Sequence, residues 1–117
     1  MKEKIMIKVY QISLTDAEID TINAGGYYTP RIKAYFDRSL DSRFKAEFFQ
    51  HYTHVATVDT HDMEEAFAAM NLWNSDKVQK VTRLVSSMSV GDILEYNGQL
   101  YRCASCGFTL LENYQRD

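Results

Sequence analysis

The stretch Ile93-Leu94-Glu95-Tyr96-Asn97-Gly98-Gln99-Leu100-Tyr101-Arg102 decides the architecture of this chain. Two runs of strand-forming residues flank an Asn-Gly pair, the dipeptide that most readily takes the two positive φ angles of a two-residue hairpin turn. A β-hairpin is therefore predicted at 93–102. Gly107 then breaks the chain before a short apolar run, Phe108 to Leu111, which extends the hairpin into a meander. The sheet needs further strands, because an isolated hairpin is marginal in water.

Those strands and their helices can be placed by working back towards the N-terminus. Residues 4–12 put Ile5, Ile7 and Val9 on one alternating face and Met6, Tyr10 and Ile12 on the other, the pattern of a strand covered on both sides and so inside a sheet. Thr15-Asp16-Ala17-Glu18 is a capping box, with Leu14 and Ile19 placed as a hydrophobic staple, and the Gly25-Gly26 pair ends that helix. Thr29-Pro30 is a second helix start, with proline at the first helical position, and a short helix or turn follows. Phe44, Phe48 and Tyr52 recur every four residues and predict an amphipathic helix over about 41–51. His54 to Asp59 alternates as a strand. Asp62 caps a helix with Met63, Ala66, Phe67, Met70 and Trp73 on its apolar face, ending near Asn74. Lys77 to Val85 fits either periodicity and is read as strand. The sum is an α+β domain spanning 1–117, a small mixed or antiparallel sheet with a C-terminal β-hairpin or meander packed against three or four helices.

Composition agrees with one globular domain. The chain has 117 residues, 45% hydrophobic and 13% aromatic, with one proline and five glycines, enough to bury a single core and far from a disordered or collagen-like composition. A net charge of −3 gives none of the overall basic character usual in duplex-DNA binders. The N-terminal apolar run is broken by Lys8 before it reaches the length of a signal peptide, and no stretch approaches a membrane span. A cytoplasmic location is expected, where thiols stay reduced.

Few residues suggest chemistry. Cys103-Ala104-Ser105-Cys106 has the spacing of half a zinc site, and His51 and His54, with His61 as a spare, are the ligands that could complete it. The same pair would be redox-active at a helix N-terminus, but it follows a strand and precedes Gly107, which suits a turn. His61-Asp62 and His51-Tyr52-Thr53 each match a fragment of a hydrolase motif, and each lacks its second half. Phosphate-binding loops, dinucleotide fingerprints and nucleophile elbows are missing from the sequence. Neither an enzymatic activity nor a cofactor is expected.

The strongest functional signal is a concentration of aromatic and basic residues. Eight of the fifteen aromatic side chains lie between Tyr27 and Tyr52, interleaved with Arg31, Lys33, Arg38, Arg43 and Lys45. Residues 59–117 carry nine acidic and five basic side chains, leaving eight basic and seven acidic before them. Such a segment can be the core side of helices with a charged wet face, can stack and pair with single-stranded nucleic acid, or can anchor a protein partner. The protein-binding assignment takes Tyr27, Tyr28, Arg31, Lys33, Tyr35, Arg38, Arg43 and Lys45 as contact residues. Self-association as a homodimer is also expected, on a surface that sequence does not specify.

Ser87-Met88-Ser89-Val90-Gly91-Asp92-Ile93-Leu94, followed after the hairpin by Gly107-Phe108, resembles the C-terminal part of the YodL-like domain of small phage and mobile-element proteins. Lys8-Val9-Tyr10-Gln11-Ile12 is similar to the first strand of that domain. The resemblance implies an accessory protein of phage type, acting on a host or phage protein in host takeover or anti-defence. It places structural duties on Gly91, Asp92 and Gly107, which suit tight turns.

Overall fold

In a computed structural model the described residues are 6–26, 29–71, 76–82 and 85–111. The strands are β1 (Ile7–Gln11), β2 (Thr53–Val58), β3 (Val78–Lys80), β4 (Ile93–Tyr96), β5 (Gln99–Cys103) and β6 (Phe108–Leu110), with helices α1 (Asp16–Asn23), α2 (Pro30–Asp37) and α3 (Met63–Met70) and a 3-10 helix at Ala46–His51. They form one six-stranded sheet in the order β3-β2-β1-β4-β5-β6. Every pairing is antiparallel. The α+β class, the antiparallel sheet and the terminal meander agree with the expectation from sequence.

The local signals account for the elements. Asn97 and Gly98 take φ of 53° and 78°, the two positive angles that join β4 directly to β5. At α1 the capping box is complete: the Thr15 hydroxyl accepts from Glu18 N–H and the Glu18 carboxylate accepts from Thr15 N–H. Gly25 then turns left-handed, with φ 74°. Thr29 caps α2 and Pro30 opens it. Asp62 accepts from the N–H groups of Glu64 and Glu65 and starts α3.

Strand β1 lies between β2 and β4, as its two apolar faces require. On one side α3 brings Ala66, Ala69 and Met70 onto Ile7, Val9, Val58, Leu94 and Cys103. On the other, Tyr10, Ile93 and Leu100 pack with Phe49 of the 3-10 helix. The β1–β2 register shifts between Val9 and Tyr10, which pair with Ala56 and His54 and leave Val55 as the extra residue of a bulge. Strict alternation would expose one of two neighbours, yet Val55 and Ala56 are both fully buried.

Three expectations need correction. Residues 41–51 are not an α-helix: 41–43 form a turn, and only a 3-10 helix follows at Ala46–His51. The four-residue stripe does not define its buried side, because Phe49 is the buried aromatic there, 8% exposed, while Phe44 and Phe48 are half-buried and stack edge to face. Helix α3 ends at Met70 with Asn71 as its cap, short of Asn74, which with Trp73 lies outside the described residues. Ile19 stays 43% exposed, so it does not close a buried staple with Leu14.

Candidate functional site

The polar interior converges where α2 ends against the start of β4 and the middle of β5. Asp92, 2% exposed, sits directly before β4. Its Oδ2 accepts from Ser89 N–H at 2.9 Å and from Gln11 Nε2 at 3.0 Å. Its Oδ1 faces Arg38 Nε at 3.8 Å. Gln11 also donates to the Ser86 carbonyl at 3.1 Å and accepts from Ser86 N–H at 3.1 Å, so one side chain substitutes for a strand partner and fixes the segment leading into β4. Burial pushes the Asp92 carboxyl up to about 6, against the Ser89 N–H, the Arg38 charge and the Gln11 amide, which hold it down.

Arg102 completes the junction from β5. Its Nε and Nη2 donate to the Arg38 carbonyl at 3.1 and 2.8 Å, and its Nη1 donates to Asp41 Oδ1 at 2.6 Å. The guanidinium also lies 5.0 Å from the Phe44 ring centre. Gly91 makes this approach feasible. Its φ is 97°, and a Cβ there would lie 2.6 Å from both the Cγ and the carbonyl oxygen of Arg38. Tyr52 donates its hydroxyl to the Gly91 carbonyl. Burial raises the Tyr52 phenol well above its ordinary value, and the Asp92 charge raises it further.

A pocket of about 270 Å³ opens beside this junction, with Gln11, Arg38 and Asp92 among its polar lining and Ile12, Leu14, Ile19 and Tyr35 among its less polar walls. Arg38 lies over the Tyr35 ring at 4.1 Å and donates to the Tyr35 carbonyl. Its buried Nε has no hydrogen-bond acceptor. The charge of Asp92 is thus held by two donors and a guanidinium, an arrangement that fixes structure more than it frees a proton-transfer group.

The residues singled out in the aromatic and basic segment fall into two sets. Arg31 faces inward: Nε bonds both Glu18 carboxylate oxygens at 3.3 and 3.1 Å, Nη1 donates to the His51 carbonyl at 2.8 Å, and Nη2 donates to the Ser13 carbonyl. Arg38 is held as described, with Tyr35 beneath it. Lys33 and Arg43 have side chains 69% and 65% exposed and lie 3.5 and 3.8 Å from the Asp37 carboxylate. Lys45 is exposed. Tyr27 and Tyr28 lie outside the described residues. In the same stretch of sequence, Phe36 and Leu40 present 40% and 46% of their surface to solvent. Phe36 lies in the last turn of α2 and Leu40 three residues beyond its end, so no helical periodicity in the sequence marks them as a pair.

The cysteines and histidines do not converge. Cys103 belongs to β5 and His54 to β2, three strand steps apart or about 14 Å across the sheet. His54 Nε2 instead lies 3.0 Å from Thr57 Oγ1. His51 is the last residue of the 3-10 helix. Among the described residues no group of three or more His, Cys, Asp and Glu side chains is arranged to hold a metal ion. Cys103 is buried and Cys106 exposed. Burial, and then the Asp92 charge, push the Cys103 thiol up to about 11, the opposite of what a redox-active cysteine needs.

Compared with family models, with curated proteins and with solved structures, the chain matches none. No helix among the described residues is long and apolar enough to cross a membrane.

Proposed function

We propose that this is a non-enzymatic accessory protein of phage type, working in the host cytoplasm by binding a host or phage protein through the face around the end of α2. One observation carries the reading: Phe36 and Leu40, 40% and 46% exposed, fall at the end of α2 in the same short segment as Lys33 and Arg43, whose exposed side chains both reach Asp37. An apolar centre with a charged rim is the anatomy of a protein-binding patch. The basic rim favours a partner whose own contact surface is acidic. Nucleic acid is the less favoured ligand, since Arg31 is bound to Glu18 and to the His51 and Ser13 carbonyls and the Arg38 guanidinium is packed against Tyr35 and Asp92, which leaves Lys33, Arg43 and Lys45 as the exposed cations of this segment.

The test compares wild-type protein with Leu40→Asp in affinity capture from host and infected-cell lysates, followed by direct binding of the captured protein. A partner held by the wild type and lost by the variant at unchanged thermal stability is the expected result. Equal capture by both proteins, or binding only to nucleic acid with a steep salt dependence, overturns the proposal.

A further inference from the structure

We propose that the open edge of β6 is a dimer interface, pairing antiparallel with β6 of a second copy of this chain about a two-fold axis at Thr109. The ladder to β5 sets which groups remain for that pairing. Leu111 N–H donates to the Leu100 carbonyl and Ala104 N–H to the Gly107 carbonyl, each at 2.9 Å. Pairing Arg102 with Thr109 continues this series, so the N–H and carbonyl of Thr109 point inward at β5. The N–H and carbonyl groups of Phe108 and Leu110 therefore point outward, and among the described residues β6 is the last strand of the sheet.

Two residues with outward donors and acceptors, spaced two apart, are self-complementary. A second β6 running antiparallel sets Phe108 against the partner's Leu110 and Leu110 against the partner's Phe108. Each pair exchanges two hydrogen bonds, and Thr109 meets the partner's Thr109 as the non-bonded pair at the axis.

Side chains and charge favour a second copy over solvent. Phe108 packs against the core on the α3 side of the sheet, and both Phe108 and Leu110 are only half-buried. The partner's Leu110 would lie against Phe108, at the edge of a pocket of about 220 Å³ whose lining includes Phe67, Val90 and Cys103. The two-fold axis repeats that contact on the other subunit. From Gly107 to Leu111 the edge carries no charged side chain, whereas the opposite edge, β3, has Lys77 beside it and Lys80 within it. Lysine on an edge strand discourages strand addition, and β6 lacks that protection.

The experiment uses the full chain. Light scattering on wild-type protein should give twice the monomer mass of 13.6 kDa as concentration rises. Thr109→Cys in a Cys106→Ser background should form an intermolecular disulfide under mild oxidation, because residues directly opposite at a non-hydrogen-bonded pair lie within bridging distance. A cysteine at exposed Asn23 should not. Leu110→Pro removes an outward N–H and no bond to β5, so it should give a folded monomer, and Leu110→Lys should do the same by adding edge charge. A wild type that stays monomeric overturns the proposal. So does a dimer that survives both Leu110 variants or in which position 109 fails to cross-link.

Discussion

The carbonyl oxygen of Arg38 accepts two hydrogen bonds from the guanidinium of Arg102, 64 residues away. A Cβ on Gly91 would lie 2.6 Å from that same oxygen. The end of α2, the turn before β4 and the middle of β5 are therefore joined at one backbone atom.

Replacing Arg102 by Met should cost about 2–4 kcal/mol in urea unfolding, because it removes a buried guanidinium, strips the part-buried Arg38 carbonyl of two donors and removes the Asp41 partner. Arg102→Lys should lose less, since an ammonium keeps the charge but lacks the planar fork. A Met variant within about 0.5 kcal/mol of wild type would show that water takes over these bonds.

Two glycines with positive φ should respond differently to alanine. Gly25→Ala, at φ 74° with nothing within 4 Å of the new Cβ, should cost about 1–2 kcal/mol of backbone strain. Gly91→Ala should cost at least about 3 kcal/mol, since the methyl meets Arg38 backbone that flexible side-chain motion cannot clear. Thermal melts of the two variants side by side check the order.

Asp92 predicts a pH dependence of definite sign. Its folded-state value of about 6 lies above the ordinary 3.8, so the native state holds this proton more tightly than the unfolded chain does. The associated stability is fully present below about 4 and is lost as pH rises through 6, a change of about 3 kcal/mol. The carboxylates of Glu18, Asp41 and Glu65 are shifted down and act in the opposite direction. The difference between wild type and Asp92→Asn isolates the effect: relative to the variant, wild type should lose stability between pH 4 and 7. A flat difference would mean that Asp92 titrates normally.

Thiol labelling should divide the C-x-x-C pair. Cys106 is exposed and should react readily with a maleimide at neutral pH, while buried Cys103, with its thiol near 11, should react only on unfolding. Two fast equivalents per native chain would contradict the burial of Cys103.

The parts of the fold that sequence anticipated are those governed by neighbours in the chain: the Asn97-Gly98 turn, the Thr15 capping box, the Pro30 start and the two-faced strand β1. The 41–51 segment misled because its aromatic spacing suits a helix while its contacts are dictated from afar. Arg102 draws in Phe44 and Asp41, and Phe49 is captured by Tyr10, with ring centres 4.9 Å apart. The buried junction was equally hidden, since Gln11 and Asp92 are 81 residues apart and the turn pattern around Asp92 does not name its distant partner. Arg31 and Arg38 looked like surface cations for the same reason. Only tertiary structure reveals that Glu18 and Asp92 receive them.

The position of β1 bears on how the chain is made. It is an early strand to leave the ribosome, yet one of its neighbours is β4, and Tyr10 waits for Glu95 to receive its hydroxyl hydrogen bond. Until Ile93–Tyr96 has been synthesised, one side of Lys8, Val9 and Tyr10 lacks the strand that finally pairs with it. A nascent chain stopped after β3 would hold all the described helices and half the strands, and still present the middle of its future sheet as a raw edge. Synthesis of β4 and β5 is thus what covers the exposed side of β1, and a chaperone would have the most to shield just before that point.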